Sequence, residues 1–103
     1  MRCFYSALAA DDLEDIAGYI ACDNPQRALS FIDEPRERCE QLTAFPTAPA
    51  LRPDIAEGIR LVPFGRYLIL FSVSTDQLLI ERIVYGSRDV PQLFRAKDQL
   101  EPR

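Results

Sequence analysis

Two periodicities divide this chain. Between Ala9 and Leu42 apolar residues recur at helical spacing, whereas from Gly58 to Asp89 they form short runs broken by turn residues. Ser6 is placed to cap a first helix over about 7–22, whose stripe is Ala9, Leu13, Ile16, Ala17, Ile20 and Ala21. Asn24-Pro25 restarts the helix, an N-cap side chain followed by proline at the first helical position. Ala28, Phe31, Ile32, Pro35, Cys39 and Leu42 continue the stripe, so the spacing predicts an antiparallel helical hairpin with a turn of about two or three residues. Pro35 falls on that stripe, where it removes a helical hydrogen bond and costs about 3 kcal/mol unless a kink relieves it. A bend around Phe31–Pro35 is therefore expected. Glu34 and Arg38 are spaced for an i,i+4 ion pair.

The remaining runs read as strands. Cys3 to Tyr5 is a short one. Beyond an irregular crossing segment, Phe45-Pro46-Thr47-Ala48-Pro49 and Arg52-Pro53-Asp54, the apolar runs are separated by Pro63-Phe64-Gly65 and by Ser74-Thr75-Asp76-Gln77. That punctuation predicts an antiparallel meander. In its middle strand Tyr67, Ile69, Phe71 and Val73 share one face and Leu68 and Leu70 the other. Both faces are apolar. One covers the hairpin, and the other needs a second cover, either the tail Val90-Pro91-Gln92-Leu93-Phe94 or another chain. The expected fold class is α+β: an N-terminal strand and a two-helix hairpin packed on a small antiparallel sheet. It forms one domain over 1–95, with a charged tail over 96–103.

At 103 residues the chain suits a single core. No apolar run approaches the roughly 20 residues of a membrane span, and the first residues lack the apolar stretch of a secretory signal, so the cytoplasm is expected. Cys3, Cys22 and Cys39 are odd in number, show no C-x-x-C spacing and have no histidine to join them, which disfavours zinc and suggests reduced thiols. No cofactor is expected. The acidic cluster Asp11, Asp12, Glu14 and Asp15 suits the first turns of a helix, where the dipole favours negative charge, better than a metal site. Net charge is −4, unevenly spread: residues 1–57 carry 11 acids and 5 bases, residues 58–103 carry 5 acids and 7 bases. The whole chain is not the basic domain of a free nucleic-acid binder.

Absence of histidine excludes Ser-His-Asp and Cys-His catalysis, and no Gly-rich loop of the G-x-x-x-x-G-K kind is present. The residues that could act on an anion are arginines set into the meander, Arg60, Arg66 and Arg82, with Arg88 just beyond and Tyr67 and Tyr85 nearby. The same arginines could instead pair with Glu57, Glu81 or Asp89 across the sheet.

An ordered set of residues over about 4–94 resembles the ParE branch of the ParE/RelE superfamily, the toxin halves of bacterial type II toxin–antitoxin pairs. It comprises Ser6, Ala9, Asp12-Leu13, Ile16 and Tyr19, then Asn24-Pro25, Arg27-Ala28 and Phe31-Ile32. It continues through Leu42, Pro46, Arg52-Pro53, Gly58, Arg60 and Gly65-Arg66-Tyr67-Leu68-Ile69 to Ile80, Arg82, Ile83 and Gly86-Ser87-Arg88-Asp89.

The resemblance implies two activities. RelE-like members cut messenger RNA on the ribosome with basic sheet residues and a tyrosine or histidine near the last strand; here Arg60, Arg82 and Tyr85 would be the catalytic set. ParE-like members poison DNA gyrase by binding it, and the absence of histidine and of the lysines typical of RelE-like sites, Lys97 being the one lysine, favours this non-enzymatic reading. Arg88, Leu93 and Phe94 are then the expected target-binding residues. A degenerate toxin that only binds its antitoxin is a third reading, left open by Pro35. The family also implies a ParD-like antitoxin, a DNA-binding dimer whose acidic segment folds over the toxin, most simply in a two-plus-two assembly. Arg60, Arg66, Tyr67, Ile69, Phe71 and Arg82 are the residues expected to meet it.

Overall fold

The computed structural model describes residues 1–86 and 89–95. Its elements are β1 (Arg2–Tyr5), α1 (Ala7–Asp23), α2 (Pro25–Ala44), β2 (Arg60–Phe64), β3 (Tyr67–Val73), β4 (Gln77–Tyr85) and α3 (Val90–Arg95). Arg88 and the tail expected over 96–103 lie outside the described residues.

The hairpin forms where its capping residues require. The Ser6 hydroxyl accepts from the Ala9 amide at 3.0 Å, and the Asn24 side chain accepts from the Arg27 amide at 3.0 Å. Asn24 alone joins the helices: its own amide closes α1 on the Ile20 carbonyl (2.8 Å) while its side chain opens α2. The turn is thus shorter than expected. Pro35 is buried inside α2, which continues through it from Pro25 to Ala44. Glu34 pairs not with Arg38 but with Arg27, two turns back, which also stacks over the Phe31 ring. Arg38 turns instead to Gln41.

The sheet has strand order β1-β4-β3-β2. The meander is antiparallel as expected, but β1 runs parallel to β4, so the sheet is mixed. After the helical hairpin β2 starts at the opposite edge in the same direction as β1, so β4, two reversals later, lies parallel to β1, and strand length alone carries no sign of that. β2 and β3 are joined by Gly65-Arg66; Gly65 has φ +59° and Arg66 does not share the positive φ, the pattern of a type II′ turn with glycine at its first central position.

Each sheet face has its own core. Ile69, Phe71, Leu78, Ile80 and Ile83 meet Ala9, Ile16, Phe31, Cys39 and Leu42 of the hairpin. On the other face Leu70 and Val84 meet Ile55 and Ile59 of the crossing segment and Val90 of α3, with Leu93 and Phe94 packed alongside. The second face is therefore covered by this chain itself. Phe4, beside Leu79 at the β1 edge, remains exposed.

Candidate functional site

The meander arginines, grouped by sequence, are separated by the fold. A β-bulge between Leu70 and Phe71 decides the position of Arg82. Leu70 faces Arg82 while Phe71 faces Ile80, which leaves Glu81 as the extra residue. The alternation of β4 shifts at that point, so Ile80 and Ile83 both join the hairpin core. Arg82 ends 1% exposed. Its Nε and Nη2 donate to the two carboxylate oxygens of Asp12 at 2.7 and 2.6 Å, a bidentate pair, and its Nη1 donates to the Leu93 and Phe94 carbonyls at 3.2 and 3.1 Å. Asp12, 2% exposed, also accepts from the Ile83 amide at 3.0 Å.

The cause is backbone accounting. β1 pairs with β4 only as far as Tyr5 opposite Ile80. Beyond that point the β4 edge would leave buried groups unsatisfied. The Ser6 amide donates to the Ile80 carbonyl (2.9 Å), the Ser6 hydroxyl donates to the Glu81 carbonyl (2.7 Å), and Asp12 accepts from the Ile83 amide. Asp12 thus completes the strand edge and balances Arg82, tying α1, β4 and α3 at one node. Arg82 is therefore not a partner-facing residue, and its counter-ion is none of the acids considered from sequence. One signal was present: Asp12 lies three residues after Ala9 and four before Ile16, on the buried stripe rather than the solvated side.

Arg60 is also committed. Its Nη1 donates to the Thr47 and Pro49 carbonyls at 3.1 and 2.6 Å, which clasps the crossing segment as it leaves α2. Ile69 and Phe71 are fully buried beneath the hairpin and cannot meet an antitoxin in this fold. Tyr67 is mostly buried, packed edge-on against Phe31 (5.5 Å) and Tyr85 (5.9 Å), and burial raises its hydroxyl pKa. Arg66, in contrast, is exposed in the β2–β3 turn. It lines a cleft of about 400 Å³ with Tyr19, Asp23, Arg27, Glu34 and Phe64.

The three positions of the ribonuclease reading do not converge. Arg60 pairs across from Phe71 and Tyr85 across from Tyr67. Four residues of strand, about 13 Å, separate the two levels. Arg82 is sealed against Asp12. Of the expected target-binding residues, Leu93 and Phe94 are half-buried on α3.

A surface that sequence reasoning missed lies on the outside of the hairpin. Ala10, Leu13 and Ala17 of α1, Ile32 of α2 and Tyr5 line an apolar groove of about 390 Å³, with Glu14 and Arg36 at its rim. Leu29 (70% exposed) and Tyr19 are further exposed apolar residues on the helices, Tyr19 lining the cleft that holds Arg66. Leu29 lies between Ala28 and Ser30, off the buried stripe, and an off-stripe leucine was the available clue. Among the described residues no helix is long and apolar enough to cross a membrane, and no cluster of candidate ligands could hold a metal ion.

Comparisons with known proteins agree with this fold. The model of the ParE toxin family of type II toxin–antitoxin systems, parDE, matches residues 4–90. Among curated proteins no sequence matches. A solved structure described as the chromosomal ParDE TA system from P. aeruginosa contains a chain of similar fold, with TM-score 0.73 and 23% identity, over 84% of this chain and 97% of that one. With the match running from β1 to the start of α3, the chain belongs to the ParE toxin family of type II toxin–antitoxin systems.

Proposed function

We propose that the protein arrests growth in the cytoplasm by binding DNA gyrase and is neutralised by a dimeric, DNA-binding antitoxin in a two-plus-two complex. The observation that carries this reading is the family match over residues 4–90, taken with the dispersal of Arg60, Arg82 and Tyr85. A ribonuclease needs its phosphate-binding and proton-transfer groups within hydrogen-bond reach of one substrate. Here one arginine holds the crossing segment and another is neutralised by Asp12.

The antitoxin surface in this proposal differs from the one expected from sequence. Both faces of the sheet's centre are covered internally, so the apolar groove along the hairpin is the place for an antitoxin's apolar segment. Arg36, which lines that groove, and Arg66, which lines the separate cleft with Tyr19 and Phe64, are the cations offered to an acidic segment. The target surface comprises Leu93 and Phe94 on α3, together with Arg88, which precedes that helix in the chain.

Expression without antitoxin should arrest growth, and purified protein added to gyrase should inhibit supercoiling or trap cleaved DNA. Arrest with supercoiling untouched and messages cut at the ribosomal A site would replace this reading by ribonuclease activity. Normal growth together with tight antitoxin binding would leave only a binding module.

A further inference from the structure

We propose that the chain, when free of antitoxin, forms a two-fold dimer by pairing β1 with β1 of a second copy, which joins the two sheets into one. β1 is an edge strand whose one sheet neighbour is β4. In that parallel pairing the Arg2 amide donates to the Asp76 carbonyl and the Ser6 amide to the Ile80 carbonyl, so Arg2, Phe4 and Ser6 turn their backbone groups toward β4. The amides and carbonyls of Cys3 and Tyr5 therefore point to the open side, where no described residue pairs with them. The opposite edge of the sheet is closed. There Leu51 bridges to Arg60, and Pro63 has no amide to offer a further strand. β1 carries neither device.

The open edge is complementary to itself. In an antiparallel pairing centred on Phe4, Cys3 of each copy stands opposite Tyr5 of the other, and each such pair exchanges both of its hydrogen bonds. Phe4 then meets Phe4 of the second copy at the close, non-hydrogen-bonded position, about 4.5 Å apart at Cα. Phe4 is 42% exposed and belongs to neither core, so this contact supplies an aromatic neighbour that the single chain lacks.

The charges of α2 fit the same axis. Arg36 and Glu40 are exposed, one helical turn apart, and line a cavity of about 440 Å³ beside the strand with Cys3, Tyr5 and Thr43. Neither makes an ion pair among the described residues, and arginine four residues before glutamate is the weaker order for pairing within a helix. A two-fold axis perpendicular to the sheet runs the two copies of α2 antiparallel, so Arg36 of each faces Glu40 of the other. The midpoint of that pairing falls at Arg38, next to Cys39, whose sulfur lies 3.8 Å from the Tyr5 hydroxyl. Strand and helix thus share one centre, as an isologous contact requires.

Self-association is read on the isolated full chain and involves neither antitoxin nor gyrase, so its outcome is separate from that of the proposed function. Sedimentation equilibrium should be run in dithiothreitol, which removes any disulfide through the exposed Cys22. Twice the 11.7 kDa of one chain is expected. Cys3→Pro removes an outward amide while leaving the β1–β4 bonds, and Phe4→Glu places like charges at the centre; each should weaken association by about tenfold or more. Arg36→Glu and Glu40→Arg should each do the same alone. Mixed together, these two reversed chains should dimerise again, because every facing pair is once more opposite in sign. Circular dichroism establishes that each variant is folded, and the exposed α2 positions decide the matter if Cys3→Pro does not fold. A wild type that stays monomeric at its highest soluble concentration would overturn the proposal. A dimer insensitive to the strand variants or to the charge reversals would do so too, as would reversed chains that remain monomeric when mixed.

Discussion

Arg82, in a strand, and Arg66, in a turn of the same meander, meet opposite fates. Arg82 lies beside a bulge, at the point where β1 has ended, and its guanidinium is enclosed by Asp12 and by two carbonyls of α3. Arg66 occupies the second central position of a two-residue turn, where its backbone closes the hairpin and its side chain points to water. One is a structural joint and the other a surface charge. The difference comes from which backbone groups each segment leaves unsatisfied, and not from residue type.

Breaking the Asp12–Arg82 joint should have the largest effect. Removing one member strands a buried charge, so Asp12→Ala and Arg82→Ala should each destabilise the fold by about 3–5 kcal/mol. Asp12→Ala should fall at the upper end because it also orphans the Ile83 amide. In a double-mutant cycle the paired replacement should cost far less than the sum of the single changes. Urea unfolding monitored by circular dichroism measures all three. Losses below about 1 kcal/mol for both single variants would show that the pair is solvated, and the contrast with Arg66 would collapse.

Arg60 is the intermediate case. Its charged donor serves two carbonyls of the crossing segment, and charge-assisted hydrogen bonds contribute about 1.5–3 kcal/mol. Partial exposure places Arg60→Ala at the low end, about 1–2 kcal/mol, or a fall in Tm of roughly 4–15 °C for a domain of this size. The comparison that sharpens this is Arg52→Ala. Arg52 makes a bidentate pair with Asp54, but both are exposed, so little change is expected there. Equal shifts in a thermal melt would mean that the clasp on Thr47 and Pro49 contributes nothing beyond an ordinary surface contact.

The hairpin and meander were legible because their signals are local. A cap at Ser6, the Asn24-Pro25 restart and the Gly65 turn each state their structure within a few residues. The α3 cover of the second sheet face was legible as one of two options, since Leu68 and Leu70 demanded some apolar partner. What stayed hidden depends on distant registration. The parallel pairing of β1 with β4 and the extra residue at Glu81 follow from how remote strands align. Those two features turned Arg82 inward and recruited Asp12, which by composition looks like one more acid near a helix start. Arg82 was expected on the partner-facing surface for the same reason. In sequence, arginines on a sheet ask for a partner from outside, whereas backbone carbonyls and a buried carboxylate within the chain already supply one.

Arg66→Glu should have the smallest effect on the fold and therefore gives the cleanest test of the surface. The turn depends on the positive φ of Gly65, and Arg66 contributes only ordinary backbone geometry. Exposed and outside any buried network, it should alter stability by no more than about 0.5 kcal/mol. Charge reversal should instead slow association with an acidic antitoxin, with a difference between variant and wild type that shrinks as salt is raised past the screening length of roughly 10 Å at 0.1 M. Stopped-flow association at low and high salt, beside an unfolding curve for the same protein, separates the outcomes. A destabilisation above about 1 kcal/mol would make Arg66 another internal joint. Unchanged association at both salts would remove it from the antitoxin surface and leave the apolar groove along the hairpin to account for recognition.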